Sequence, residues 1–263
     1  MKLEVVSVGD WDSALYMKFE HERTRAAIDL LAQVPDMDPK IVYDLGCGPG
    51  NSATLLKRRF PRASVIGVDN SDNMLQVARQ RVVDADFIKE DIESWRPREE
   101  TDLVFANASL HFVPEHYDLM VRLVSCLRDG GCLAVQMPNN MQEDSHALMR
   151  MVAADGPWAD RLVPVAKSQA IIGPLDEYYR LLAPICSSLD IWQTTYIHPV
   201  DGPDRIVEWF EGAELQPFLK PLCPAEKEAF LARYRDALSQ AYAPQPNGKF
   251  LLRYPRLFFV AQK

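Results

Sequence analysis

The sequence predicts an α/β fold, a doubly wound and mostly parallel sheet of seven strands with a helical cap. Between Ile41 and Met137, short apolar segments alternate with amphipathic helical segments, and the links between them are short. This alternation is typical of right-handed βαβ units, which form parallel sheets. Two further strand-like segments close the chain, and the insertion between Pro199 and Gly248 separates them. We expect that insertion to form the cap.

A helix is predicted near the start of the chain, over Ser13–Val34. Its apolar residues recur at helical spacing with charged residues between them, and Pro35 follows its last residue. Two interpretations are open. The helix either packs on the core and shows its charges to solvent, or it covers a binding site as a flap.

The segment Ile41–Gly50 predicts a buried strand followed by a tight turn. A short apolar run ends at Asp44, and glycines then occupy alternate positions at Gly46, Gly48 and Gly50. Glycine permits left-handed backbone and lets a ligand lie directly against the main chain. A small-molecule site and an ordinary strand-to-helix turn both fit these glycines taken alone.

The other elements follow from the same periodicities, strands from alternation and helices from a spacing of three to four residues. The further predicted strands are Val65–Asp69, Phe87–Asp91, Leu103–Asn107, Cys132–Met137, Leu189–His198 and Lys249–Ala261. The further predicted helices are Ser71–Val82, Glu115–Leu127, Glu143–Ala154, Asp176–Leu182, Pro203–Glu214 and Ala225–Tyr242. The stretch Pro157–Pro174 predicts turns mixed with short apolar pieces.

The glycine turn is a poor match to a dinucleotide site. A G-x-G-x-x-G signature would need glycine where the chain has Asn51, and Pro49 has no N–H to offer a phosphate. Asp44 would repel an anionic ligand but suits one that carries an ammonium or sulfonium group. S-adenosylmethionine has both groups and no phosphate, so we expect it as the cofactor. A nicotinamide-dependent oxidoreductase is the alternative, which Asn51 disfavours.

Polar residues also end the next predicted strands. Asp69 lies 19 residues after Gly50, where a carboxylate can accept hydrogen bonds from two ribose hydroxyls. Asp91 is placed to accept from an adenine amino group, while Ile92 offers a backbone N–H and an apolar wall. Asn107 ends the following strand. Because ligands of such sheets bind beyond the carboxyl ends of the strands, we expect these residues to share one site.

Composition argues against several classes of function. The chain has 29 basic and 37 acidic residues and a formal charge of −8, which disfavours a broad basic surface for nucleic acid or anionic lipid. Its five cysteines are scattered without a C-x-x-C, so we expect no disulfide framework, no metal site and a reducing compartment. No apolar run approaches the ~18 residues of a membrane span. We expect a cytoplasmic protein of unknown oligomeric state.

The motif Asp44-Leu-Gly-Cys-Gly-Pro-Gly50, together with Asp69, Asp91 and Asn107, resembles the class I S-adenosylmethionine-dependent methyltransferases. The resemblance covers Ile41–Met137. It implies a Rossmann-like fold and a methyl transfer that leaves S-adenosylhomocysteine as product. The cofactor contacts that we expect from it are Gly46, Cys47, Gly48, Asp69, Asn70, Met74, Asp91, Ile92, Asn107 and Tyr16. Among these we expect Cys47 to fill the loop rather than to act as a nucleophile.

A closer likeness extends almost from end to end, in Trp11–Phe19, Phe105–His111, Ala134–Pro138, Asp190–Tyr196 and Tyr254–Phe258. In these segments the chain is similar to the family of carboxyl methyltransferases that act on trans-aconitate, a small tricarboxylic acid. The resemblance implies that one carboxylate of that acid is esterified. Two alternatives remain, another small di- or tricarboxylic acid as acceptor and a non-catalytic S-adenosylmethionine-binding module.

A carboxylate acceptor needs no general base, because its pKa near ~4 leaves it ionised at neutral pH. We therefore predict no catalytic residue, only alignment of the acid and exclusion of water. We expect one domain over residues 1–263 with a cofactor-binding core at 35–140. Residues 1–34, 141–184 and 199–249 are expected to supply the flap and cap over the active site.

An acid with several negative charges needs hydrogen-bond donors, and arginine suits carboxylates best. The candidates are Arg25 in the leading helix and either Arg253 or Arg256 beside Pro255. For each of them a solvated surface position is the alternative. We expect assistance from His111, Gln136, Tyr178 and Tyr196, without an essential acid or base role for the histidine.

Overall fold

The computed structural model describes residues 18–97, 100–168 and 172–263. The strands are β1 (Ile41–Leu45), β2 (Ser64–Asp69), β3 (Asp86–Lys89), β4 (Thr101–Asn107), β5 (Leu127–Pro138), β6 (Ser188–Val200) and β7 (Phe250–Gln262). The helices are α1 (Glu20–Gln33), α2 (Asn51–Arg59), α3 (Asp72–Arg81), α4 (His116–Ser125), α5 (Asp144–Ala154), α6 (Ala159–Ser168), α7 (Leu175–Leu182), α8 (Pro203–Glu211), α9 (Gln216–Leu219) and α10 (Pro224–Ala241). Short 3-10 turns cover Leu110–Phe112 and Ala183–Ile185.

The described strands form one sheet in the order β3-β2-β1-β4-β5-β7-β6. Strands β1 to β5 pair in parallel, and β7 runs antiparallel to β5. The chain first winds outward from β1 to β3 and then returns to the other side of β1 through β4 and β5, so the strand order reverses between β1 and β4. The doubly wound, mostly parallel sheet of seven strands that the sequence predicts is confirmed. Its ligand site is expected at the carboxyl ends of β1 and β4.

The described chain divides into two compact units. The sheet unit comprises residues 19–139, 172–194 and 255–263, and the helical unit comprises residues 18, 140–168 and 195–254. Of the segments predicted as flap and cap, 141–168 and 199–249 belong to the helical unit, whereas 19–34 and 172–184 belong to the sheet unit. Residues 13–17 of the predicted leading helix lie outside the described residues.

The central strands of the sheet unit are buried on both faces, as in other parallel sheets. The odd-numbered residues 133–137 of β5 and 257–261 of β7 pack in the main hydrophobic cluster. Gln136 and Arg256 extend from the opposite face and are also buried, at 0% and 3% exposure. Polar side chains are rare at such depth unless they have hydrogen-bond partners or a ligand.

The helical unit contains two helices that the sequence did not predict, the short α9 and the longer α6. Helix α6 occupies part of the stretch assigned to turns, and Pro164 lies inside it. A proline within a helix removes a backbone hydrogen bond, which made the helical pattern look interrupted. The ring N–H of Trp158 donates to the carbonyl oxygen of Val152 at 2.9 Å and fixes the turn that precedes α6. The prediction of turns was therefore wrong for Ala159–Ser168.

In the ranges that the structure describes, no helix is both long and apolar enough to cross a membrane. Within the same ranges, no group of histidine, cysteine, aspartate and glutamate side chains is arranged to hold a metal ion.

Candidate functional site

The glycine turn after β1 has the backbone that the sequence predicts. Gly46, Gly48 and Gly50 have φ angles of 69°, 51° and 87°, in the left-handed region that favours glycine. A β-carbon on Gly46 would lie 2.2 Å from Cβ of Ser109, whereas a β-carbon on Gly48 would meet no atom of the described residues within 4 Å. The turn is thus closely packed at its first glycine and open at its second. A ligand can reach the main chain at Gly48.

Asp69 joins this turn to the next helix. One of its carboxylate oxygens accepts from the backbone N–H of Gly48 at 2.9 Å, and the other accepts from the N–H of Ser71 at 2.9 Å. Ser71 in turn caps α3, because its hydroxyl accepts from the N–H of Met74 at 3.2 Å. Each carboxylate oxygen has two lone pairs. Asp69 can therefore hold the loop in place and still accept from hydroxyl groups of a ligand.

Asp44 is enclosed beneath the turn with 1% exposure. Burial, followed by the negative charge of Asp69, raises the pKa of this carboxyl to about 8. The N–H of Ala53 lowers the pKa in part, without forming a hydrogen bond of normal geometry to either oxygen. The carboxyl is largely protonated at neutral pH, and a nearby positive charge would favour its ionised form.

The remaining cofactor residues that the sequence predicts differ in exposure. Cys47 and Met74 are buried, at 3% each, and burial raises the pKa of the Cys47 thiol. A buried protonated thiol fills space and is a poor nucleophile. Asn70 is exposed beside Asp69. Tyr16 lies outside the described residues.

The third strand is shorter than predicted. It ends at Lys89, so Asp91 and Ile92 lie in the turn that follows rather than on the strand. Asp91 is exposed, and its carboxylate accepts from the N–H of Glu93 at 2.9 Å. This local bond gives the turn its shape and leaves the carboxylate at the edge of the site.

The turn after β4 closes the site on the other side of the glycine loop. Ala108 has a positive φ of 56°, which is uncommon for a residue with a side chain. Its N–H donates to the carbonyl oxygen of Gln136 at 2.9 Å. The hydroxyl of Ser109 donates to the carbonyl oxygen of Leu45 at 2.6 Å. The side-chain oxygen of Asn107 is buried and has no hydrogen-bond partner among the described residues.

A second polar cluster lies at the carboxyl ends of β4 and β5. Nη1 of Arg256 donates to Oε1 of Gln136 at 3.1 Å. His111, in the 3-10 turn after β4, is partly exposed, but burial of its ring, followed by the charges of Arg256 and His116, lowers its pKa to about 3. The imidazole is therefore neutral at physiological pH.

Known proteins share both the sequence and the fold. Residues 42–131 match a family model described as a methyltransferase domain. The chain is 50% identical over 256 residues to trans-aconitate 2-methyltransferase of Rhodopseudomonas palustris strain BisB5, a match that covers 97% of this chain and 100% of that protein. This chain belongs to the trans-aconitate 2-methyltransferase family. The resemblance that the sequence motifs indicate is confirmed, and membership excludes the nicotinamide-dependent alternative.

Solved structures outside the trans-aconitate 2-methyltransferase family have the same fold. The YcgJ protein of Bacillus subtilis has a TM-score of 0.59 at 16% identity, covering 92% of this chain and 98% of that one. Phosphoethanolamine N-methyltransferase 2 of Haemonchus contortus, solved with S-adenosyl-L-methionine, has a TM-score of 0.57 at 17% identity. That match covers 95% of this chain and 56% of that one. At these identities the likeness establishes the fold alone.

The structure brings together only part of the acid-binding set that the sequence predicts for this trans-aconitate 2-methyltransferase family member. His111 and Gln136 lie with Arg256 at the strand ends. Arg25 is exposed on α1. Tyr178 is fully buried in the main hydrophobic cluster, and its hydroxyl lies 3.0 Å from Nε2 of His116. Tyr178 is therefore part of the core of the sheet unit.

The other two predicted acid ligands belong to the helical unit. The side chain of Arg253 is 59% exposed and lies 3.5 Å from a carboxylate oxygen of Glu143. Tyr196 is 4% exposed and stacks on His198, with ring centroids 6.2 Å apart. Of the two arginines beside Pro255, the buried one is Arg256.

Sequence reasoning missed Ser109. Serine after a strand is common in loops, so nothing local in the sequence distinguishes this one. Its importance depends on Gly46, which lies far away in sequence and directly opposite in the fold. The available signals were its place two residues after the predicted strand that ends at Asn107 and its position inside the segment Phe105–His111 that carries the closer likeness.

Proposed function

We propose that this chain transfers the methyl group of S-adenosylmethionine to a carboxylate of trans-aconitate and releases a methyl ester and S-adenosylhomocysteine. One structural observation supports the proposal independently of the names of the chain's relatives. The glycine loop and the buried guanidinium of Arg256 lie at the same edge of one sheet, on either side of β4. A site for a cationic cofactor and a site for an anionic acceptor are thus neighbours.

The residues of the loop side fit an adenosyl cofactor. The open backbone at Gly48 admits a ligand, and Asp69 retains acceptor capacity for ribose hydroxyls. Asp91 and Ile92 would hold the adenine, and the buried oxygen of Asn107 offers an acceptor that the described residues leave unused. An unsatisfied buried oxygen costs free energy, and a donor on the ligand would recover it.

The reaction needs no proton transfer from the acceptor. Bound S-adenosylmethionine supplies a methyl group on a positively charged sulfur, so the new bond joins a carboxylate oxygen to that carbon while the sulfur–carbon bond breaks. A carboxyl group with a pKa near ~4 is already ionised at neutral pH. His111, with a pKa of about 3, is too weak a base to assist. The chain's own contribution is to orient the acid and to keep water away from two charges that neutralise each other.

The proposal is tested with S-adenosylmethionine labelled in its methyl group and a panel of di- and tricarboxylic acids. We expect volatile label after alkaline hydrolysis in the trans-aconitate sample, because base releases an ester methyl as methanol. Label that appears with another acid of the panel instead would favour that acid as the acceptor. Cofactor binding without label in any sample would support the non-catalytic binding module and overturn the proposal.

We also propose that the protein works in the cytoplasm on this small acid, without a nucleic-acid or membrane partner. Support comes from its five cysteines, all of which are free thiols in the structure. Free, unpaired cysteines are usual in a reducing compartment. The net charge of −8 agrees with the absence of a polyanionic partner.

A further inference from the structure

A buried arginine and a buried glutamine are hydrogen-bonded to each other on the acceptor side of the sheet. Arg256 is 3% exposed, Gln136 is fully buried, and a hydrogen bond of 3.1 Å joins Nη1 of the first to Oε1 of the second. An arginine side chain stays protonated in proteins. Burying it costs several kcal/mol unless an anion or a set of acceptors compensates. The fold therefore keeps a positive charge beside the amide of Gln136, near the carboxyl end of β5.

The orientation of the Gln136 amide indicates which kind of ligand would bind beside the guanidinium of Arg256. Because Oε1 of Gln136 accepts from Arg256, its Nε2 group remains as a donor, and this nitrogen is buried without a partner among the described residues. Nδ1 of His111 is likewise buried without a partner in that part of the chain. His111 lies in the turn that follows β4, whose last residue, Asn107, pairs with Gln136. Burial, followed by the charge of Arg256, lowers the pKa of the His111 ring. A guanidinium, an amide N–H and an imidazole N–H together suit a carboxylate.

The position of the cluster separates it from the reacting centre. Gln136 lies on β5 and Arg256 on β7, where Arg256 pairs with Pro138, while the glycine loop follows β1. Strand β4 lies between β1 and β5. Adjacent strands are about 4.8 Å apart. An acid held by Arg256 can thus reach toward the loop only with a different carboxylate.

We propose that Arg256 and Gln136, with His111 as a third donor, form the site for a carboxylate of the acceptor that is not methylated. The inference rests on the proposed function and adds a specificity rule to it. An acceptor must carry at least two carboxylates, one for this site and one for methyl transfer. A monocarboxylic acid can fill only one of the two positions.

The first test measures acid binding by calorimetry, with the protein saturated with S-adenosylhomocysteine so that no turnover occurs. Arg256→Lys keeps the charge but removes the planar fork. We expect its affinity for trans-aconitate to fall by about 30-fold or more, since the guanidinium's paired hydrogen bonds to a buried carboxylate are lost. Its affinity for S-adenosylmethionine should stay within about twofold of the wild type. Arg62→Lys, a change in an exposed arginine paired with Asp38, is the matched control and should bind both ligands normally.

A second variant keeps the test decisive if Arg256→Lys does not fold. Gln136→Glu places a carboxylate next to Arg256, in the place of the amide that accepts from it. We expect this variant to lose trans-aconitate binding, because its negative charge repels the acid, and to melt at a higher temperature than the wild type, because a charged acceptor replaces a neutral one for the guanidinium. A merely structural link between the two side chains would give the higher melting temperature without the loss of binding. Unchanged acid affinity in either variant overturns the proposal.

The outcomes distinguish this inference from the proposed function. If the wild type binds the acid but forms no ester, the proposed methyl transfer is contradicted and the proposed carboxylate site is not. If the wild type forms ester and Arg256→Lys binds trans-aconitate as tightly as the wild type does, the proposed carboxylate site is contradicted and the proposed methyl transfer is not. A wild type that binds but-2-enoate, a monocarboxylate, as tightly as trans-aconitate also overturns the site.

Discussion

The hydroxyl of Ser109 donates a 2.6 Å hydrogen bond to the carbonyl oxygen of Leu45, the residue that ends β1. This bond ties the turn after β4 to the start of the glycine loop. The two turns belong to adjacent strands at the point where the order of the sheet reverses. The Ser109 side chain thereby reinforces, at the ends of the strands, the pairing of β1 with β4.

The contact between Gly46 and Ser109 predicts a strong effect of a single methyl group. In Gly46→Ala the new carbon would lie 2.2 Å from Cβ of Ser109 and would also have to adopt a φ of 69°. Gly48→Ala is the matched control, because it has the same left-handed backbone but no atom within 4 Å in the part of the chain that the structure describes. Placing alanine in this left-handed backbone conformation costs about 1 kcal/mol or slightly more at either position. Thermal unfolding should therefore show a clearly larger loss for Gly46→Ala, and equal losses would contradict the packing described here.

Asp69 is expected to contribute to cofactor binding through its carboxylate. Asp69→Ala removes the acceptor for the N–H of Gly48 and any bond to ribose, so S-adenosylmethionine affinity should fall by about 2 kcal/mol or more. Asp72→Ala is the control, since that neighbouring carboxylate is exposed and pairs with Lys89 on the surface. Calorimetric titration measures both variants. An affinity unchanged by Asp69→Ala would remove this residue from the site.

The raised pKa of Asp44 predicts a pH dependence of stability. In the unfolded chain this carboxyl ionises near its ordinary value of 3.8, while in the folded protein it keeps its proton until about pH 8. Its contribution is thus full below pH 3.8 and is lost as pH rises through about 8. Between pH 6 and pH 8, roughly, the wild type should lose up to about 2 kcal/mol more than Asp44→Asn, which cannot ionise. Denaturant titrations across this range measure the difference, and parallel curves for the two proteins would rule out the shift.

Tyr178 is expected to affect stability rather than acid recognition. Its hydroxyl lies 3.0 Å from Nε2 of His116 inside the hydrophobic core. Tyr178→Phe removes that hydrogen bond, and the free energy of unfolding should fall by about 1 kcal/mol. The KM for trans-aconitate should not change. A raised KM with unaltered stability would return Tyr178 to the acid site that the sequence predicts.

Local patterns were enough to predict the glycine loop and the strand before it. The strand and the three glycines occupy one continuous segment, Ile41–Gly50, and Asp69 follows at a spacing that the βαβ unit dictates. Each of these features depends on neighbours in sequence. The predicted loop accordingly appears in the structure with positive φ angles at all three glycines.

The acceptor side depends on contacts between distant segments, and there the sequence was less informative. Arg253 and Arg256 are three residues apart on one strand, so they point to opposite faces. Which face is buried follows from the pairing of β7 with β5, more than a hundred residues earlier. The same limit applies to Tyr178, which is buried, beside Tyr179, which is 51% exposed. Both pairs of neighbours are chemically alike, and only the packed sheet distinguishes them.

The most direct test of methyl transfer to an acid is a single-turnover experiment followed by mass spectrometry. The protein is loaded with one equivalent of S-adenosylmethionine whose methyl group carries deuterium, and trans-aconitate is then added at neutral pH. We predict that the acid gains one deuterated methyl group as an ester while an equal amount of S-adenosylhomocysteine forms. Recovery of unmodified acid together with intact S-adenosylmethionine would contradict the account.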